Sequence, residues 1–171
     1  MSEPNTFELK PISHDTVAGA LAKAERYRLL NEPNEAESIC CDILEVEPNN
    51  QPALVSLILA LTDQIPHDAG AFANAMARIA HLDSGYDRAY YAGIAWERRA
   101  KARCVGGGQG ARHYAYEWIV QALRLFEEAE HLRAAGNDDA ILRWNTCVRF
   151  LSRHKELEPM VEDKTEPILS E

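Results

Sequence analysis

Four groupings in this sequence have the residue types that chemistry needs. Glu128-Ala129-Glu130-His131 holds one E-x-x-H. On a helix that spacing puts a carboxylate and an imidazole on adjacent turns, as in a di-iron bundle. Such a site draws a second E-x-x-H from another helix, and the chain has none, so a solvated helix face is expected. The six histidines (His14, His67, His81, His113, His131, His154) show neither H-x-x-x-H nor H-E-x-x-H, and no metal site is expected from them. The run Gly106-Gly107-Gly108-Gln109-Gly110 lacks the lysine and the Ser or Thr of a phosphate loop and follows no strand, so it reads as a connector. Cys40, Cys41, Cys104 and Cys147 form no C-x-x-C pair. They are expected as reduced core or near-core residues, with a zinc or disulfide framework disfavoured. The sequence therefore predicts no enzyme, no catalytic residue, no metal and no cofactor.

A fifth grouping suits binding. The chain carries 18 Lys and Arg against 27 Asp and Glu, a net charge of −9, which as a whole repels nucleic acid. The distribution is uneven: residues 1–86 hold five basic and thirteen acidic residues, 87–112 six and two, and 113–171 seven and twelve. Seven aromatics crowd residues 86–118, which include this basic stretch: Tyr86, Tyr90, Tyr91, Trp96, Tyr114, Tyr116 and Trp118. Aromatic and arginine side chains together supply the apolar area and polar handles of binding hot spots. Packing competes for the same residues. Trp96, Trp118 and Tyr91 are expected between helices, and Glu97 is placed to pair with Lys101 one turn on.

The elements that must hold these groups are helices. Apolar residues recur at three and four positions with almost no alternation, and 171 residues at 46% hydrophobic content suit one core. The punctuation predicts seven helices: residues 13–30 with Ser13 as cap, 34–45 after Asn31-Glu32-Pro33, 52–64 after Pro48-Asn49-Asn50, 68–82, 87–104, 111–135 closed by Gly136-Asn137, and 138–155. Residues 1–12 read as an extension, 13–155 as the folded domain and 156–171 as an acidic, flexible tail. No apolar run approaches the roughly 20 residues of a membrane span, and residues 1–10 lack a secretory pattern, so a cytoplasmic location is expected.

Residues 17–50 span 34 positions and carry Ala24, Tyr27, Ala36, Ile43-Leu44 and Pro48. In type and spacing this resembles a tetratricopeptide (TPR) repeat, which sets a small residue and an aromatic on its first helix, a small residue and an apolar pair on its second, and a closing proline. A second unit echoes it with Ile79-Ala80-His81-Leu82-Asp83-Ser84, serine standing for proline. A third has Gly93 and Trp96 on its first helix and Ala115, Ile119, Ala122 and Leu123 on its second, with the glycine run inserted between. The resemblance covers about residues 13–126 and implies an all-α, right-handed stack of about three TPR-like hairpins with a C-terminal capping helix. It also implies a protein-interaction module, an adaptor or scaffold, whose first helices line a groove for a segment of another protein or of a second copy. Carried over by position, that groove comprises Leu21, Glu25, Arg28, Val55, Leu59, Thr62, Tyr90, Ile94 and Arg98. A homodimer, a small-molecule-binding or enzymatic bundle, and a nucleic-acid binder using residues 88–112 are the alternatives, the last disfavoured by the acidic flanks.

Overall fold

Local chemistry punctuates the chain into helices. Residues 7–160 are described by the structure, a computed structural model. After a 3-10 turn at His14–Thr16 come α1 (Val17–Leu29), α2 (Pro33–Val46), α3 (Gln51–Gln64), α4 (Ala71–Ile79), α5 (Gly85–Gly106), α6 (Ala111–Leu132) and α7 (Asp139–Arg153), with no strand among the described residues. The chain reverses after α1 through Asn31 at φ 61°, and Pro33 opens α2, where a missing N–H costs nothing. The Asn50 side chain caps α3 by accepting the Ala53 N–H at 2.9 Å, and Ser84 does the same for α5 from Asp87 at 3.2 Å. No helix among the described residues is long and apolar enough to cross a membrane.

Each helix packs on its neighbours in the chain, and the odd-numbered ones also touch in series, α1 on α3, α3 on α5 and α5 on α7. The core is correspondingly a row of clusters. Ala24, Ala36, Cys40, Leu57 and Ala75 join α1 to α4. Leu54, Ile58, Ile79 and Ala95 join α3 to α5, and Ile94, Ile119, Phe126 and Cys147 join α5 to α7. Fully buried alanines at 24, 36, 60 and 75 let backbones approach closely. At Gly93 the approach is closer still, because the Phe126 ring occupies the space a β-carbon would need.

Several boundaries differ from the sequence expectations. Ser13 is extended and makes no side-chain cap; instead the Thr16 hydroxyl donates to the Ser13 carbonyl at 2.7 Å. Helix α4 starts at Ala71 rather than 68, because Asp68 turns the chain by accepting the Gly70 N–H at 2.8 Å. Helix α6 ends at Leu132, where Arg133 becomes extended and its guanidinium binds the Asn137 carbonyl at 2.9 Å and the Asp138 carboxylate. Gly136, at φ 82°, therefore serves the loop and does not close the helix.

At the ends, Phe7 and Leu9 are exposed and only Ile12 packs on the first hairpin. Of the expected tail, residues 156–160 fold back: Leu157 is buried, and His113 Nδ1 lies 3.0 Å from the Glu158 carbonyl. Residues 1–6 of the expected extension and 161–171 of the expected tail lie outside the described residues.

Candidate binding face on the odd-numbered helices

The odd-numbered helices meet through charged side chains. Asp63, near the end of α3, takes Arg28 Nε of α1 at 2.8 Å on one oxygen and the Arg98 guanidinium of α5 on the other. Arg98 also donates to the Leu59 carbonyl at 3.2 Å and to the Thr62 hydroxyl. Burial pulls the Arg98 pKa below its ordinary value even though Asp63 favours the charged form, so the guanidinium is held at some desolvation cost. One residue earlier on α5, Glu97 is 1% exposed and is bracketed by Lys101 at 2.5 Å and by Arg143 of α7 at 3.5 Å. Burial opposes the charge on Arg143, but Glu97 and Tyr90 outweigh it and raise its pKa. Four cations thus share two carboxylates along one face.

Beside this network, between the ends of α3 and α5, is an open hollow of about 500 Å³ lined by Pro66, His67, Ala102 and Val105 together with Thr62, Asp63, Arg98 and Lys101. Val105 is 91% exposed. A large, uncovered aliphatic side chain next to two cations can contact a chain that pairs an apolar residue with a carboxylate.

Of the nine positions expected in the groove, Arg28, Leu59 and Arg98 fall in or against the network. Ile94 does not line a surface, being 2% exposed within the α5–α7 core, whereas Thr62, 1% exposed beneath Arg98, contributes to the wall of the hollow. Leu21 packs on the first hairpin, Val55 on the α3–α5 cluster, and Glu25 is exposed on α1. Tyr90 is half-buried, stacked on Tyr86 at 5.6 Å and edge-on to Tyr91 at 5.2 Å. Sequence reasoning missed Asp63, Lys101 and Arg143 as parts of the face. A signal for Asp63 was there: it stands 35 residues from Arg28 and 35 from Arg98, about one helical-repeat length in each direction.

The basic, aromatic segment is largely committed within the fold. The Arg99 guanidinium lies between the Phe72 and Trp118 rings, 4.1 Å from each centroid, and Trp96 stands edge-on to Phe72 at 4.7 Å. Arg88 donates to the Leu82 carbonyl at 2.6 Å and Arg103 to the Gln109 carbonyl at 2.9 Å. Among the described residues only Arg112 of that segment's six cations makes no hydrogen bond or ring contact of this kind. His131 of the E-x-x-H is exposed, its Nδ1 2.7 Å from the Glu127 carbonyl of its own helix. All four cysteines are free; Cys40 and Cys147 are buried as expected, Cys104 is half-buried, and Cys41 is exposed rather than near the core. Cys104, distant in the chain from His154 and Glu156, brings its sulfur to their donor atoms. In comparisons with known proteins, the chain matches no family model, no curated protein and no solved structure.

Proposed function

We propose that this chain is a TPR-like stack of helical hairpins that acts as a protein-interaction module, and that its odd-numbered helices take an acidic segment of a partner protein bearing an apolar or aromatic residue. The observation that carries the reading is the excess of cations on that face. In a chain of net charge −9, Arg28, Arg98, Lys101 and Arg143 share Asp63 and Glu97 as their ion-pair partners among the described residues, beside an open, largely apolar hollow. The recurrence of Arg28, Asp63 and Arg98 at 35-residue steps supports equivalent positions on successive repeat helices. Such a face favours carboxylates by contact and by its local positive potential, which must outweigh the repulsion of an acidic partner by the rest of a chain of net charge −9.

Fluorescence anisotropy with short labelled peptides tests this. Peptides combining Asp or Glu with Phe or Leu should bind at least about tenfold tighter than the same peptides with Lys in place of the acids, roughly 1.4 kcal/mol. The double variant Arg98→Gln, Lys101→Gln should erase most of that preference while leaving the helical circular dichroism intact. Equal binding of acidic and basic peptides, or a preference the double variant keeps, contradicts the proposal.

A further inference from the structure

A second site is assembled where the C-terminal ends of α5 and α7 meet the returning segment 154–157. Cys104 lies in the last turn of α5, His154 caps α7, and Glu156 follows two residues later. Their Sγ, imidazole nitrogen and carboxylate oxygen all lie within 4.8 Å of one another. His154 Nδ1 and Glu156 Oε1 are 2.9 Å apart. Donors sharing one tetrahedral zinc stand about 3.5 Å apart, so small side-chain rotations of Cys104 and Glu156 would close the set.

The surroundings hold this arrangement in place. The Phe150 ring lies 4.4 Å from the His154 ring, centroid to centroid, and fixes its plane from one turn back on α7. Leu157 is buried and His113 faces the Glu158 carbonyl at 3.0 Å, so the segment carrying Glu156 is tied to α6. Cys104 and Glu156 also line a cavity of about 400 Å³ with Gly107, Gly108 and Arg112. That space accommodates a water molecule as a fourth ligand.

We propose that Cys104, His154 and Glu156 bind one zinc ion or a similar borderline divalent metal. A thiolate, an imidazole and a carboxylate are a donor set suited to zinc and unsuited to calcium or magnesium, which take oxygen ligands. The ion would join the end of α5, the cap of α7 and the chain that follows, pinning the terminal helix and the glycine loop to one another. This inference is independent of the binding face on the odd-numbered helices, since it involves none of the four cations there.

Zinc alone and cobalt(II) alone, added to the full chain kept reduced by a non-chelating phosphine, test it. The expected result is one ion per chain, and for cobalt a near-ultraviolet thiolate-to-metal band with the intense visible bands of a four-coordinate site. Cys104→Ser should abolish the thiolate band and weaken zinc binding by more than about tenfold, as should His154→Ala for affinity, since even loss of a supporting group around a metal costs that much. Glu156→Gln, at an exposed position, gives a variant whose folding is not at risk and should also weaken zinc. Cys41→Ser removes the exposed thiol of α2 and should change nothing. A chain that takes up no zinc, zinc binding that survives Cys104→Ser, or a thiolate band lost with Cys41 instead would overturn the assignment.

Discussion

Replacing Gly93 by alanine tests the closest helix approach in the molecule. A β-carbon built at Gly93 falls 2.5, 2.8 and 2.9 Å from three atoms of the Phe126 ring, where ordinary contact begins near 3.4 Å. The ring must retreat by about 1 Å, yet Phe126 is fully buried among Ile94, Ile119, Ala122 and Cys147. Overpacking of that size costs about 3 kcal/mol, at the upper end of the usual range. Alanine returns about 1 kcal/mol through its better helix propensity, leaving a net loss of about 2 kcal/mol. For a chain of this length that lowers the Tm by about 4–8 °C. Gly19 is the control: it is exposed on α1, nothing lies within 4 Å of its β-carbon position, and Gly19→Ala should stabilise by up to about 1 kcal/mol. Urea unfolding followed by far-ultraviolet circular dichroism reads both. Adding Phe126→Leu to Gly93→Ala should recover at least about 1 kcal/mol beyond additivity, because the smaller side chain relieves the clash. If Gly93→Ala is as stable as the parent, or the two substitutions simply add, then α5 and α6 do not approach as described and the reasoning fails.

Other perturbations have defined outcomes. Asn50→Ala removes the α3 cap and the Asn50 bond of 2.7 Å to Glu47, and should cost about 1–2 kcal/mol in urea unfolding. Glu97→Gln leaves Lys101 and Arg143 without a carboxylate, but each is about a third exposed and can reach water, so the loss should be about 1–3 kcal/mol rather than that of a sealed ion pair. Stability should fall as pH rises from about 9 to 12. Burial pushes the Cys147 thiol from 9.0, and the Tyr91 phenol from 10.0, to about 12, so the folded chain keeps protons that the unfolded chain releases. Below about pH 8 the same groups are protonated in both states and contribute no slope, and Cys147→Ala should flatten the decline.

Local signals were legible in the sequence, and three-dimensional ones were not. Pro33, Pro48-Asn49-Asn50 and the glycine run fix helix ends through their own backbone chemistry, so the seven helices and their order could be read directly. The lining of the face was read only in part. Helix α5 is enclosed on several sides, and Ala92, Gly93, Ile94 and Ala95 are buried in succession. Its apolar residues therefore define no single stripe, and Ile94 was assigned to a surface it does not reach. On α3 the expected lining residue Thr62 lies beneath Arg98 at the wall of the hollow, while Asp63, about 100° further round the helix, takes both guanidiniums. The Cys104, His154 and Glu156 cluster had no spacing to betray it, since one donor comes from α5 and the others from beyond α7. Leu157 shows the same limit where the expected tail begins: composition gave no sign that this side chain is buried.

The account rests on the odd-numbered helices being the surface that meets a partner. Amide and side-chain NMR shifts of the labelled full chain, titrated with the tightest acidic peptide from the anisotropy panel, address this most directly. Shifts should concentrate around Arg28, Asp63, Arg98, Lys101 and Val105, while the outer residues of α2, α4 and α6 stay still. Perturbations centred on those even-numbered helices would contradict it.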